Sequence, residues 1–235
     1  HGQILGNNPE MLAANAAKVG ELGAPAIDVN FGCHAKTGNR HRGGSVLLDE
    51  PETVHLLVKS VRDALPAHIP VSAKMRLGYL DENPTLDNAH AIADSGANWL
   101  TVHARTKADG YTPPAYWEKI QPITEALKIN VIANGEIWNN TDAKACIAQS
   151  DCKDIMIGRG AVTTPDLTLC IRQNKDRAVL SWQDLVELQQ RFLSGQFKTE
   201  VGMIGRYKQW LGMMSKAYPE AQALWNQVKK MKQLE

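Results

Sequence analysis

Val71-Ser72-Ala73-Lys74-Met75-Arg76 and Trp99-Leu100-Thr101-Val102-His103 are two short apolar runs, one ending in a cation and the other in an imidazole, with the amphipathic stretch 87–95 between them. A strand, a helix and a second strand in this order form a βαβ unit, whose two strands lie parallel. The unit repeats outward in both directions. Further candidate strands are Gln3–Leu5, Ala26–Phe31, Asn130–Ala133 and Asp154–Ile157, and helical patterns cover 9–22, 51–65, 115–127 and 141–149. Asn8 before Pro9, Asp49-Glu50-Pro51-Glu52 and Asn140-Thr141-Asp142 carry the caps and acids of helix starts. Near-continuous apolar strands predict a parallel sheet covered on both faces.

The strand ends decide between the two architectures that alternation allows. They read Asn30-Phe31-Gly32-Cys33, Lys74-Met75-Arg76, His103-Ala104-Arg105, Asn134-Gly135-Glu136 and Gly158-Arg159-Gly160. Polar and glycine clusters at the carboxyl end of strand after strand, rather than at one switch point, favour a TIM (β/α)8 barrel over a doubly wound sheet. Six strands are counted where a barrel has eight. Residue 1 is His, and Gln3-Ile4-Leu5 already reads as a buried strand. The expectation is therefore an α/β TIM barrel that lacks its first two βα units in this chain. After Pro165 the strand signals stop, and 165–174, 181–194, 199–217 and 219–233 read as helices. This predicts a barrel domain over 1–164 and a small all-helical domain over 165–235.

Composition narrows the class. The 235 residues are 43% hydrophobic and 22% charged, as in an ordinary folded chain and unlike a disordered one. No stretch of apolar residues is long enough to span a bilayer, and the first residues lack the basic start and apolar run of a signal peptide. The four cysteines, at 33, 146, 152 and 170, form no CxxC pair, and no Cys/His spacing matches a zinc site. A reducing cytoplasm and no metal are expected. The net charge of +1 conceals an asymmetry: 15 Lys+Arg against 18 Asp+Glu up to residue 164, then 11 against 7. The basic tail suits a polyanionic partner, or is a solvated helical face.

Several strand-end residues carry chemistry. Gly158-Arg159-Gly160 and Asn134-Gly135-Glu136 sit at adjacent strand ends, where backbone N–H groups at a helix start bind phosphate; tight strand-to-helix turns are the other reading. Lys74 and Arg76 alternate, so both face one side of their strand. They neutralise an anion there or close the barrel rim through ion pairs. His103 ends the next strand, as a ligand contact or a structural hydrogen-bonding group. Cys33 lies in Gly32-Cys33-His34, before a cationic loop over 35–44 with Lys36, Arg40, His41 and Arg42, where a thiol serves as acid, nucleophile or redox group. Cys146, Cys152 and Cys170 lack such surroundings and read as small hydrophobes.

Gln3-Ile4-Leu5-Gly6, Asp28-Val29-Asn30-Phe31-Gly32-Cys33, Ser72-Ala73-Lys74-Met75-Arg76-Leu77-Gly78, Val102-His103-Ala104-Arg105-Thr106, Ile132-Ala133-Asn134-Gly135-Glu136 and Met156-Ile157-Gly158-Arg159-Gly160 resemble, in order, the strand motifs of the tRNA-dihydrouridine synthases. Gly110-Tyr111, Gly135-Glu136-Ile137-Trp138 and Arg206-Tyr207-Lys208-Gln209-Trp210 are most similar to the bacterial C-type branch, associated with uridine 16 of the D-loop. The resemblance implies an enzyme in which NADPH reduces FMN, whose hydride goes to C6 of a uracil while Cys33 protonates C5. It implies that Gln3, Lys74, His103, Asn134, Gly135, Glu136, Gly158 and Arg159 hold the flavin, and that Asn30, Arg76 and Tyr111 contact the uracil. The helical tail then grips tRNA, with Arg206, Lys208, Lys229, Lys230 and Lys232 on phosphates, while Trp182, Trp210 and Trp225 read as core. No protein partner is implied, and a monomer is expected. The chain departs from the family at His34, where a proline is usual, and in lacking the family's first two strands. A flavin barrel reductase acting on a small pyrimidine or enone, or a noncatalytic tRNA-binding fragment, are the other readings.

Overall fold

The computed structural model describes residues 1–176, 179–195 and 200–231. The chain divides into two compact units, residues 1–135 with 145–156, and 136–144 with 157–235. The first unit contains β1 (Gly2–Ile4), α1 (Pro9–Glu21), β2 (Ile27–Asn30), α2 (Lys36–Arg40), α3 (Pro51–Asp63), β3 (Val71–Arg76), α4 (Thr85–Asp94), β4 (Trp99–His103), α5 (Gln121–Ala126) and β5 (Asn130–Asn134). Then come α6 (Asn140–Ser150), which contributes to both units, and β6 (Asp154–Met156).

The strands form one parallel sheet in the order β1-β2-β3-β4-β5-β6. Each strand lies beside the next in sequence, with none of the reversal that defines a doubly wound sheet, so the barrel topology holds. Among the described residues β1 and β6 are the outer strands of this sheet.

Strand parity separates two chemistries. Gln3, Asp28 and Ser72 are in register, as are Asn30, Lys74 and Thr101, and Arg76, His103 and Asn134. In-register residues of parallel strands share a face, so these polar groups line one side of the sheet. The intervening Ile27, Val29, Val71, Ala73, Met75, Leu100, Val102, Val131 and Ala133 line the other and are buried. Helices cover that apolar side. In α3, Val54, Leu57, Val58 and Val61 recur at helical spacing and are fully buried. The sheet is thus apolar on one face only, which corrects the expectation of two: alternate positions of β2 and β3 carry Asp28, Asn30, Ser72, Lys74 and Arg76.

The helix starts follow local chemistry. Asn8 caps α1 by accepting from Met11 N at 2.9 Å, with Pro9 at the first position. Before α3, Glu50 makes no cap bond to the backbone; its carboxylate pairs with Arg42 and accepts from Thr53 Oγ1 at 3.1 Å. At α6 the capping side chain is Asn139, one residue before the expected Asn140, and it accepts from Asp142 N at 2.8 Å.

The second unit is helical beyond β6: α7 (Arg159–Thr163), α8 (Leu167–Arg172), α9 (Trp182–Leu193), α10 (Glu200–Met214) and α11 (Pro219–Val228). Residue 199 and residues 232–233 of the expected helices, Lys232 among them, lie outside the described residues. Leu185, Tyr207, Leu211, Met214, Tyr218 and Ala221 form a core against which Trp182, Trp210 and Trp225 pack, as the sequence predicts for these rings. Asp166 is buried, and its carboxylate accepts from Val179 N, from Leu180 N at 2.8 Å and from Tyr218 Oη at 3.3 Å. One acid thereby satisfies two backbone donors at the entry to α9 and a phenol at the start of α11.

Candidate active site

The carboxyl ends of β2 and β3 bring three predicted residues together. A Cβ added at Gly32 would lie 3.7 Å from Asn30 Oδ1, 3.8 Å from Lys74 Nζ and 3.9 Å from Arg76 Cγ. Asn30 bridges two neighbours: its Oδ1 accepts from Gly32 N at 2.8 Å, and its Nδ2 donates to Gln3 Oε1 at 3.1 Å. Gln3 Nε2 donates to Asp28 Oδ2 at 2.7 Å, and Ser72 Oγ donates to Asp28 Oδ1 at 2.7 Å. Asp28 and Ser72 were not among the predicted site residues. Their signal is parity, since both lie two positions before a predicted residue on the same strand.

Lys74 is the electrostatic centre of this row. Burial pushes its ammonium down to about 8, Arg76 lowers it further and Asp28 works the other way. Among the described residues no side chain or carbonyl accepts a hydrogen bond from Nζ. Arg76 is 2% exposed, and two of the three nitrogens of its guanidinium donate to backbone. Nε donates to Gly32 O at 3.0 Å, and Nη1 donates to Thr106 O at 2.9 Å and Gly110 O at 3.0 Å. It therefore ties the turn carrying Cys33 to the segment carrying Tyr111. Among the described residues neither Lys74 nor Arg76 makes an ion pair of the kind the rim reading requires.

Tyr111 is 46% exposed and collects three neighbours. The Arg76 Cζ lies 5.5 Å from its ring centroid, the His103 ring 6.0 Å away, and the His34 ring meets it edge-on at 4.9 Å. Burial lowers the pKa of His34, and the positive charges of Arg76 and Lys107 lower it further. His103 packs against Gly135, where an added Cβ would lie 2.9 Å from His103 Cδ2 and where φ is +125°. Glycine is required there on both counts. Gly135 O accepts from Trp117 Nε1 at 2.8 Å, and Asn134 Nδ2 donates to Met156 O at 2.8 Å.

Cys33 is a half-exposed free thiol one residue past Gly32. Residues 36–40 of the expected loop are helical as α2, and a 3-10 turn follows at Ser45–Asp49.

Glu136, Gly158 and Arg159 belong to the second unit. Arg159 pairs with Glu136, whose other oxygen accepts from Trp138 Nε1 at 3.0 Å, and the guanidinium sits 5.1 Å from the Trp138 ring. Nothing would meet a Cβ at Gly158, whereas one at Gly160 would strike Ile137 O. Gly160 is thus a packing glycine, while Gly158 borders open space. Helix α7, which Gly158 opens, has five residues, too few for the dipole contribution that the sequence suggests.

Three comparisons bear on this arrangement. The family described as Dihydrouridine synthase (Dus) matches residues 2–235. The tRNA-dihydrouridine(16) synthases of Pseudomonas putida and Shewanella oneidensis are 48% and 46% identical to the chain, each over 97% of it and 72% of the relative. That of Neisseria meningitidis is 46% identical over 98% of the chain and 71% of the relative. Among solved structures, morphinone reductase in complex with tetrahydroNAD superposes with a TM-score of 0.50 at 18% identity, covering 71% of this chain and 48% of that one. A predicted mandelate racemase from Rhodobacter sphaeroides superposes with a TM-score of 0.52 at 10% identity, covering 75% and 42%. At those identities the two structures speak to the fold alone.

Proposed function

The chain belongs to the dihydrouridine synthase family, and on that premise we propose that it reduces a uridine of tRNA, at position 16 of the D-loop, to 5,6-dihydrouridine. The observation that carries this reading is the in-register polar row at the strand ends, Asn30 beside Lys74 and Arg76 beside His103, next to the half-exposed thiol of Cys33.

A flavin fits the row on one physical ground. Lys74 is a partly desolvated ammonium without an acceptor among the described residues, and such a group favours an electron-rich partner. We assign Gln3, Lys74, His103, Asn134, Gly135, Glu136, Gly158 and Arg159 to FMN. When bound there, FMN reduced by NADPH supplies the hydride for C6 of the uracil. Asn30 and Arg76 hold the polar edge of the base, and Tyr111 packs against it. Cys33 gives its thiol proton to C5. The base reaches these groups only by leaving its stack, which costs least in a loop.

We further assign residues 1–164 to catalysis and 165–235 to gripping the tRNA. Arg206, Lys229 and Lys230 are exposed, and Lys208 is half-buried with Nζ donating to Met231 O. No helix among the described residues is long and apolar enough to cross a membrane, and the cytoplasm, where tRNA is modified, is the compartment we assign.

The test is anaerobic. The protein is loaded with FMN, reduced with NADPH and mixed with tRNA lacking dihydrouridine. Flavin should reoxidise rapidly, and should stay reduced when the tRNA carries cytidine at position 16. Flavin that reduces but ignores every tRNA would instead indicate a small pyrimidine or enone as substrate.

Lys74 adds a pH dependence. An electron-rich ligand atom favours the protonated ammonium, so FMN affinity should be level below pH 7 and fall as pH rises through about 8. Fluorescence titrations of FMN across this range should show the fall, and Lys74→Met should weaken binding and flatten the profile. For the ligand-free chain the sign reverses. Below about 8 the fold holds a buried charge at a cost, and stability rises between about 8 and 10.5 because only the unfolded chain then keeps the proton.

A further inference from the structure

The peptide groups on both sides of Cys33 are pinned, and the two residues that pin the far side have no role in the reading above. Cys33 O accepts three hydrogen bonds: from Ser45 N at 3.1 Å, Ser45 Oγ at 2.8 Å and Asn39 Nδ2 at 3.0 Å. Asn39 Nδ2 also donates to Ala35 O at 3.0 Å. Its Oδ1 accepts from Val46 N at 2.8 Å and lies 3.1 Å from Ser45 Oγ. The amide of Asn39 is therefore engaged at both ends, and both Asn39 and Ser45 are buried. Gly44 lets the strands of this clamp close: its φ is +84°, and a Cβ there would lie 2.9 Å from Cys33 O and 3.1 Å from Cys33 Cβ. On the near side Gly32 O accepts from Arg76 Nε at 3.0 Å.

A five-residue helix, α2, carries Asn39, and a 3-10 turn begins at Ser45. Neither is long enough to be stabilised by its own ladder. Four of the bonds of Asn39 and Ser45 converge on the carbonyl of one residue or on each other, and that residue bears the thiol. Buried polar networks of this kind, fully satisfied, fix a unique geometry.

We propose that Asn39 and Ser45 are positioning residues for Cys33: by holding its carbonyl they set the direction from which the thiol approaches the reacting carbon. The proposal rests on the assignment of Cys33 as the proton donor. Misplacing a catalytic group by about 1 Å costs on the order of 100-fold in rate. Asn39→Asp removes both donors and sets a carboxylate oxygen against two carbonyls. Ser45→Ala removes one of three donors to Cys33 O and keeps the backbone N–H.

The experiment uses the full chain with FMN and separates the two half-reactions. Asn39→Asp should slow reoxidation by saturating tRNA about 100-fold and Ser45→Ala about tenfold. Flavin reduction by NADPH, FMN affinity and the KM for tRNA should stay at wild-type values. The rate of Cys33 alkylation by iodoacetamide should change in the same order, because the thiol no longer holds one direction. Cys33→Ala is run beside them. Wild-type reoxidation in both variants, next to an inactive Cys33→Ala, would overturn the proposal alone. Equal slowing of both half-reactions would also overturn it, as the sign of a general structural lesion. Full turnover in Cys33→Ala would remove the assignment of Cys33 and the proposal with it. If Asn39→Asp does not fold, Ser45→Ala carries the same comparison.

Discussion

Cys33→Ala should leave FMN loading and reduction by NADPH intact while slowing reoxidation by tRNA about 10²–10⁴-fold, the usual contribution of a positioned general acid. The expectation rests on the surroundings of the thiol. Cys33 is half-exposed and free, whereas Cys146 is buried and its thiol is pushed up to about 12, first by burial and then by Cys152. A proton donor has to hold its proton until the base arrives. A cationic imidazole beside the thiol would work against this by favouring the thiolate. His34 does not supply one at neutral pH, because burial and then the charges of Arg76 and Lys107 keep its pKa below the ordinary value. His34 is thus an uncharged ring lodged against Tyr111. Cys33→Ser tests the same point from the other side: a hydroxyl can occupy the position, yet it releases a proton far less readily and should recover little of the rate. Stopped-flow reoxidation of the three proteins decides it, and a Cys33→Ala rate within a few-fold of wild type would exclude the thiol as donor.

What the sequence disclosed depended on period and length. All six strands were legible within a residue or two of their ends, because β-branched runs bounded by glycine or polar residues admit no helix. The long helices were legible from their apolar spacing, α3 above all. Helix α2 was not. It is five residues long with Gly38 inside it, and its order comes from Asn39 and Ser45 rather than from any stripe. The division into domains expected at residue 164 rests on where the strand signals end.

The site shows the same contrast. Asn30, Lys74, Arg76, His103 and Asn134 were legible because strand ends in a parallel sheet expose alternate side chains at one rim. Reading the strands as apolar on both faces obscured Asp28 and Ser72, which lie on the same face one step deeper and orient Gln3. Asn39 and Ser45 act on a backbone carbonyl twelve or fewer residues away, and no pattern of residue types announces such a contact. Residues at the strand-end rim can be placed by parity, while those that hold a backbone carbonyl, such as Asn39 and Ser45, required coordinates.

Arg76→Lys should be nearly as damaging as the loss of the thiol, although it preserves the charge. The guanidinium reaches three carbonyls in two directions, Gly32 O through Nε and Thr106 O and Gly110 O through Nη1. An ammonium is a single point donor on a flexible stem and does not span them. At least one carbonyl then loses its partner beside a side chain that is itself 2% exposed, and each lost hydrogen bond to a charged group costs about 1.5–3 kcal/mol. For a chain of this size that lowers Tm by roughly 5 °C. The larger loss is in turnover, because the same side chain aligns the turn before Cys33 with the segment bearing Tyr111. Displacing acid and base-binding ring together should lower kcat/KM by about 10³-fold, beyond the cost of misplacing either alone. A melting shift without a loss of turnover would reduce Arg76 to a structural brace. Arg76→Met separates charge from geometry. It should raise the pKa of His34 part of the way back towards 6.5, since Arg76 is the second cause of its lowering after burial, whereas Arg76→Lys should leave it low. An NMR titration of the His34 ring reads that difference directly. If both variants leave its pKa unchanged, Arg76 does not share an electrostatic environment with the loop that carries Cys33, and the coupling of the two segments through one guanidinium fails.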